Sequence, residues 1–182
     1  MSRYRQCRPS SELKEIIQQA VINQQKGLKN VLASVVFLEG SSYRKPGVRM
    51  LIAEDLSTIG AVSGGCVEKE IIQRSKSVFL DNKAKIITYD GRYRLGCEGI
   101  LYILIEPFYI ENKFLHRFSE AIKNRESIEI NSFFIKEDEA YGNFSSQIIF
   151  PTQETFSFQK NSLFQEKNDC EVFTQILKLM NK

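Results

Sequence analysis

The stretch from Gly60 to Glu68 constrains the fold most, because it joins an apolar run to a helical segment through a glycine turn. Apolar residues recur after the turn at roughly helical spacing, which predicts a helix over about residues 66–80. Gly64, Gly65 and Cys66 then lie at the N-terminal end of that helix. Free amides there favour an anion and the thiolate form of a cysteine. A tight turn followed by a small buried cysteine explains the same residues.

Strand and helix signals alternate along the chain and predict an α/β fold with a mixed sheet flanked by helices. Helical spacing begins after Ser11 and is expected to stop at Gly27. Strands are expected over residues 31–38, 48–53, 58–62, 85–89 and 100–105. After Pro107 we expect a helix near His116, a hairpin at 128–135 and 147–150, and a short helix from Phe173 to Met180.

This pattern divides the chain into a domain at residues 1–108 and a small α+β extension at 109–182, packed on the same sheet. Together they are expected to form mostly one compact domain with a helix-plus-hairpin extension.

Composition excludes several classes of protein. The net charge of +3, from 25 basic and 22 acidic residues, is too balanced to indicate a nucleic-acid or membrane partner. No window approaches the ~18 apolar residues of a membrane span. The four cysteines form no C-x-x-C pair and His116 is the single histidine, so no metal site is expected. A cytoplasmic protein with reduced thiols is therefore expected.

Three glycine-rich loops, at residues 40–47, 63–66 and 91–99, each adjoin the end of a predicted strand. Ligand sites of α/β proteins gather at such loops. Two of the four cysteines, Cys66 and Cys97, lie in them. We therefore expect the three loops to form one pocket.

Four motifs occur together in this order: Gly40 to Leu51, Gly60 to Glu68, Leu95 to Gly99, and Leu104 to Pro107. Their ordered combination resembles the xanthine dehydrogenase accessory proteins of the XdhC type. Members of that family usually continue into a C-terminal Rossmann-like domain, so the resemblance concerns their N-terminal part.

The resemblance implies a chaperone that binds the molybdenum cofactor (molybdopterin) transiently. Such a chaperone assists sulfuration of the cofactor and its insertion into a xanthine dehydrogenase-type molybdenum hydroxylase. The implied partners are the hydroxylase apoenzyme, a cysteine desulfurase and a separate protein with the Rossmann domain, and a homo-oligomer such as a dimer is expected. The implied cofactor-binding residues are Ser41, Ser42, Arg44, Arg49, Ser63, Gly64, Gly65, Cys66, Gly96 and Cys97.

Two other interpretations stay open. In the first, the chain is a thiol-dependent enzyme or persulfide carrier whose nucleophile is Cys66, activated by the helix N-terminus. In the second, it is an interaction module that has lost ligand binding, for which the carboxylate of Glu98 among the glycines is the indication. The accessory interpretation assigns no catalytic residue, and it is favoured over an enzyme.

Overall fold

The computed structural model describes residues 7–9, 11–42, 45–62, 66–91, 99–142, 144–160 and 170–180. These residues form three helices, α1 (Ser11–Gln25), α2 (Cys66–Asp81) and α3 (Asn112–Lys123). The strands in chain order are β1 (Cys7–Pro9), β2 (Asn30–Glu39), β3 (Arg49–Ala53), β4 (Thr58–Gly60), β5 (Ala84–Asp90), β6 (Ile100–Pro107), β7 (Ser127–Phe134), β8 (Tyr141–Gly142), β9 (Ser145–Ile149), β10 (Thr155–Ser157) and β11 (Glu171–Lys178).

The strands form two sheets. The first has six strands in the order β4-β3-β2-β6-β5-β8, and all of its pairs are antiparallel. The second has five strands in the order β1-β11-β7-β9-β10, in which β1 and β11 are parallel and the other pairs antiparallel. This architecture confirms the predicted mixed α/β fold.

The six-stranded sheet is covered on both faces because its central strands are apolar on both sides. On β2, Val31 and Ala33 pack in the cluster that contains α2, whereas Leu32 packs in the cluster that contains α1. The helix α1 ends just before the predicted stop at Gly27, whose φ of +77° suits a residue without a side chain. No helix among the described residues is long and apolar enough to cross a membrane.

The predicted C-terminal helix from Phe173 to Met180 is wrong, because this segment forms the strand β11. Phe173, Gln175 and Leu177 are buried at every second position, which is the period of a strand. The polar Gln175 hides this alternation in the sequence, and the remaining apolar residues mimic helical spacing. The strands β7, β9, β10 and β11 of the 109–182 region form the second sheet together with β1, and the short β8 pairs with β5 of the first. The division into two domains stays a prediction.

Candidate ligand-binding loops

The first and third glycine-rich loops start from the same end of the six-stranded sheet. Glu39 at the end of β2 pairs with Ile100 at the start of β6, and Ile100 pairs with Asp90 at the end of β5. On the other side of β2, Met50 near the start of β3 pairs with Gly60 at the end of β4. Met50 pairs in turn with Ala33 and not with Glu39, so β4 ends at a different level of the sheet. The first and third loops are therefore anchored side by side, whereas the second loop leaves the sheet level with Ala33.

The first and third loops touch where they leave the sheet. A β-carbon added to Gly99 would lie 2.7 Å from the carbonyl oxygen of Glu39 and 2.8 Å from that of Ser41. The amide of Gly91 donates a hydrogen bond of 3.0 Å to the carbonyl of Gly99, which closes the base of the third loop. Gly99 is therefore a glycine because two backbone carbonyls occupy the space of its side chain.

The second loop leads into α2, which begins at Cys66. Val62 before the loop and Val67 after it are buried in the same apolar cluster as Ile71 of α2. These contacts fix the helix N-terminus beside the end of β4. The amides of the first turn have no acceptor within the helix and carry a partial positive charge, as the sequence predicts for this position.

The predicted site residues are described only in part. Ser41 is exposed and Ser42 half-buried, both at the base of the first loop, and Cys66 is the first residue of α2. The side chain of Cys66 lies outside what the structure describes, as do the residues Arg44, Ser63, Gly64, Gly65, Gly96 and Cys97 and the carboxylate of Glu98.

Sequence reasoning singled out Glu98 as an acid in the third loop but did not anticipate Glu39 at the end of β2. Glu39 accepts a hydrogen bond of 3.1 Å from the hydroxyl of Tyr102 on β6. Burial and the nearby Glu39 raise the pKa of Tyr102, so the phenol keeps its proton and the hydrogen bond persists at neutral pH. The carboxylate of Glu39 is thereby held on the sheet by its tyrosine partner.

Arg49 lies between the two sheets. Its Nη1 donates to the carbonyl of Gly47 at 3.0 Å and to Oε1 of Gln175 on β11 at 2.5 Å. The side chain is 4% exposed, and burial lowers its pKa to about 10. Gly47 has a φ of +94°, and a β-carbon there would collide with the amide of Gln175. Gln175, which no sequence signal pointed to, therefore fixes both the arginine and the end of the first loop.

Glu106 is a second buried charged residue that faces the second sheet. Its two carboxylate oxygens accept hydrogen bonds from the amide of Ser146 at 2.7 Å and from the hydroxyl of Ser146 at 2.6 Å. The hydroxyl of Ser132 lies 2.8 Å from that of Ser146. Burial raises the pKa of Glu106 to about 7, although these hydrogen bonds and Arg49 oppose the shift. A glutamate in an otherwise apolar strand was the available sequence signal for this network.

Residues 24–90 match the family model described as the XdhC and CoxI family. This part of the chain is thus similar to the XdhC and CoxI family. The matched region contains the first two glycine-rich loops and α2, so the resemblance seen in the motifs is confirmed.

Two relatives agree with this resemblance. The chain is 31% identical over 144 residues to a protein of Bacillus subtilis (strain 168) that is named as a probable subunit of xanthine dehydrogenase. That match covers 70% of this chain and 43% of the relative. A crystal structure described as a xanthine dehydrogenase from Bacillus halodurans has the same fold, with a TM-score of 0.62 at 22% identity over 90% of this chain and 52% of that one. The chain thus spans about half the length of these relatives.

Proposed function

We propose that this protein is an accessory factor in the maturation of a xanthine dehydrogenase-type molybdenum hydroxylase. In this role it binds the molybdenum cofactor as a transient cargo, while a cysteine desulfurase supplies sulfur, and then releases it to the apoenzyme. Similarity to the XdhC and CoxI family supports the accessory role, as does the name of the Bacillus subtilis relative. The proposed partners are the apoenzyme, the desulfurase and a separate protein with the Rossmann domain, and the chain is proposed to act as a cytoplasmic homo-oligomer.

The observation that supports the proposal is the contact between the first and third loops at one end of the sheet, while the second loop leads into the N-terminus of α2. The cargo presents a phosphate and an anionic sulfur-ligated metal. Backbone amides of Gly64 and Gly65 suit the anion, and thiolates of Cys66 and Cys97 suit the soft metal centre. Ser41 and Ser42, at the base of the first loop, add hydroxyl donors.

Arg49 is not one of these proposed contacts to the cofactor. Its described hydrogen bonds go to Gly47 and Gln175 between the two sheets. In the proposed function it therefore supports the end of the first loop, and Arg44 supplies the cationic side chain of that loop.

Variants of single cysteines test the thiol part of the proposal. Anaerobic titration of the reduced protein with molybdenum cofactor should show affinity about tenfold weaker in Cys66→Ala, as expected for one lost contact of about 1.4 kcal/mol. Cys170→Ala is the matched control, because Cys170 lies immediately before β11 on the other sheet. Equal affinity of both variants for the cofactor would show that Cys66 is not part of the binding site.

A thiol-dependent reaction of Cys66 is the second candidate, and the start of α2 at this residue favours it. A helix N-terminus stabilises the thiolate, so the rate of alkylation should reach half its maximum below about pH 8. A midpoint near the free-cysteine pKa of about 8.5 would argue against activated chemistry.

A further inference from the structure

A cavity of about 190 Å³ lies at the N-terminus of α1, between the two sheets. Ser11, Glu12 and Leu13 of the first turn of α1 line one side, and Gly47, Arg49 and Gln175 line another. On β3, Leu51 packs with α1 while Met50 and Ile52 pack with α2. Arg49 contacts β11 as well, so this cavity lies on the opposite face of the sheet from α2 and Cys66.

The guanidinium of Arg49 has an unused edge. Nη1 bonds to Gly47 and Gln175, but Nε and Nη2 have no hydrogen-bond partner among the described residues, although both are buried. Nε and Nη2 lie on the same side of the planar group, the side that binds an oxyanion through two parallel hydrogen bonds. Ser34, the register partner of Arg49 on β2, also has a buried hydroxyl without a partner there. Buried donors without acceptors are rare in folded proteins and indicate a missing ligand, ion or water.

Among the described residues, no carboxylate forms a direct ion pair with the guanidinium of Arg49. The carboxylates of Glu12 and Glu106 raise its pKa from a distance, yet burial outweighs them. Both oxygens of Glu106 are occupied by Ser146. A buried cation without a direct ion pair is costly, and an anion in the adjacent cavity removes that cost.

The helix supplies further donors to the same cavity. The first four amides of α1 have no acceptor within the helix, and the aligned peptide dipoles of its 15 residues place a partial positive charge there. The amide end and the free edge of Arg49 are independent features that border one space.

We propose that this cavity is a binding site for an oxyanion of the phosphate class, held by Nε and Nη2 of Arg49 and by the first amides of α1. Gln175 positions the guanidinium by accepting from Nη1, so that the other edge stays available. Glu12 lines the cavity with a negative charge and weakens the site. The volume accommodates a phosphate group together with part of an attached substituent.

Isothermal titration of the full chain with inorganic phosphate, in a buffer free of other oxyanions, tests the site. Glu12→Gln should tighten binding by about threefold, because it removes a like charge from the wall. Ser11→Asp should weaken binding by about tenfold, because it places a carboxylate beside the anion while keeping a favourable residue at the helix start. Glu15→Gln, on the exposed face of the same helix, is the control and should change nothing.

Phenyl phosphate serves as a second ligand that separates two sources of the anion. Binding of both ligands supports recognition of a phosphate group on a larger molecule, whereas binding of inorganic phosphate alone supports a site for the free anion. The proposal is overturned if the folded protein takes up neither ligand, or if Ser11→Asp and Glu12→Gln both bind phosphate as the parent protein does. Cofactor binding that depends on Cys66 is a separate measurement, so each proposal fails or stands alone.

Discussion

Replacing Glu106 by glutamine should change how stability depends on pH. The pKa of Glu106 is about 7 in the folded protein, against an ordinary value of 4.5. The folded state thus binds this proton more tightly than the unfolded chain does, and stability must fall as the pH rises from about 4.5 to about 7. For these two pKa values, the loss between about pH 5 and pH 8 amounts to about 2 to 3 kcal/mol.

The glutamine variant keeps the hydrogen bonds but not the charge. Its carbonyl accepts from the amide of Ser146, and its NH₂ group donates to the hydroxyl of Ser146, which can reverse its own bond with Ser132. Glu106→Gln should therefore gain about 2 to 3 kcal/mol over the parent protein between about pH 5 and pH 8, less the lost attraction to Arg49.

Urea unfolding followed by circular dichroism at several pH values between about 5 and 8 measures this difference. Glu120→Gln, an exposed acid on α3, is the control and should keep the pH dependence of the parent protein. Parallel stability curves for Glu106→Gln and the parent protein would refute the assignment of a raised pKa to this buried carboxylate.

Three further substitutions test contacts that define the fold and the loops. Gly99→Ala should destabilise the protein by about 1 to 3 kcal/mol, because its β-carbon would meet two carbonyl oxygens; thermal unfolding measures the loss. Gln175→Leu should cost about 1 to 3 kcal/mol in urea unfolding, because it removes an acceptor from buried Arg49. Arg117→Met should cost a similar amount, because Arg117 bonds Glu126 at 2.6 Å and lies 4.4 Å from the ring of Phe150.

The last two substitutions have controls of the same kind. The half-buried Gln147→Leu on β9 and the exposed Lys123→Met at the end of α3 should change stability by less than about 0.5 kcal/mol. Losses in these controls as large as those in Gln175→Leu and Arg117→Met would show that the named contacts are not responsible.

The first sheet and its helices follow from the sequence because their apolar patterns are regular. Ile71 and Val78 mark the buried face of α2, and the nearly continuous apolar run after Asn30 marks a strand covered on both faces. The glycine-rich loops were predicted to gather for the same reason, since each follows or precedes such a strand. The register of Glu39, Ile100 and Asp90 places the first and third loops side by side, and the gathering of all three loops stays a prediction.

The contacts between the two sheets were not predictable in the same way. Strand β1 pairs with β11 far along the chain, and no local pattern specifies that partner. The sequence placed Arg49 with the loops, whereas its described partners include Gln175 on β11. The partner of a polar residue in a strand can be identified only when the facing sheet is known. Gln175 also hid the alternating pattern of β11, so that the sequence of this strand resembled a helix.

The amount of cofactor bound per chain tests the proposed function most directly. Reduced protein is mixed anaerobically with molybdenum cofactor, separated from free ligand, and analysed for molybdenum and pterin in the same fractions. The proposed function predicts nearly one molybdenum and one pterin for each chain. Absence of both from protein that circular dichroism shows to be folded would contradict cargo binding by this chain.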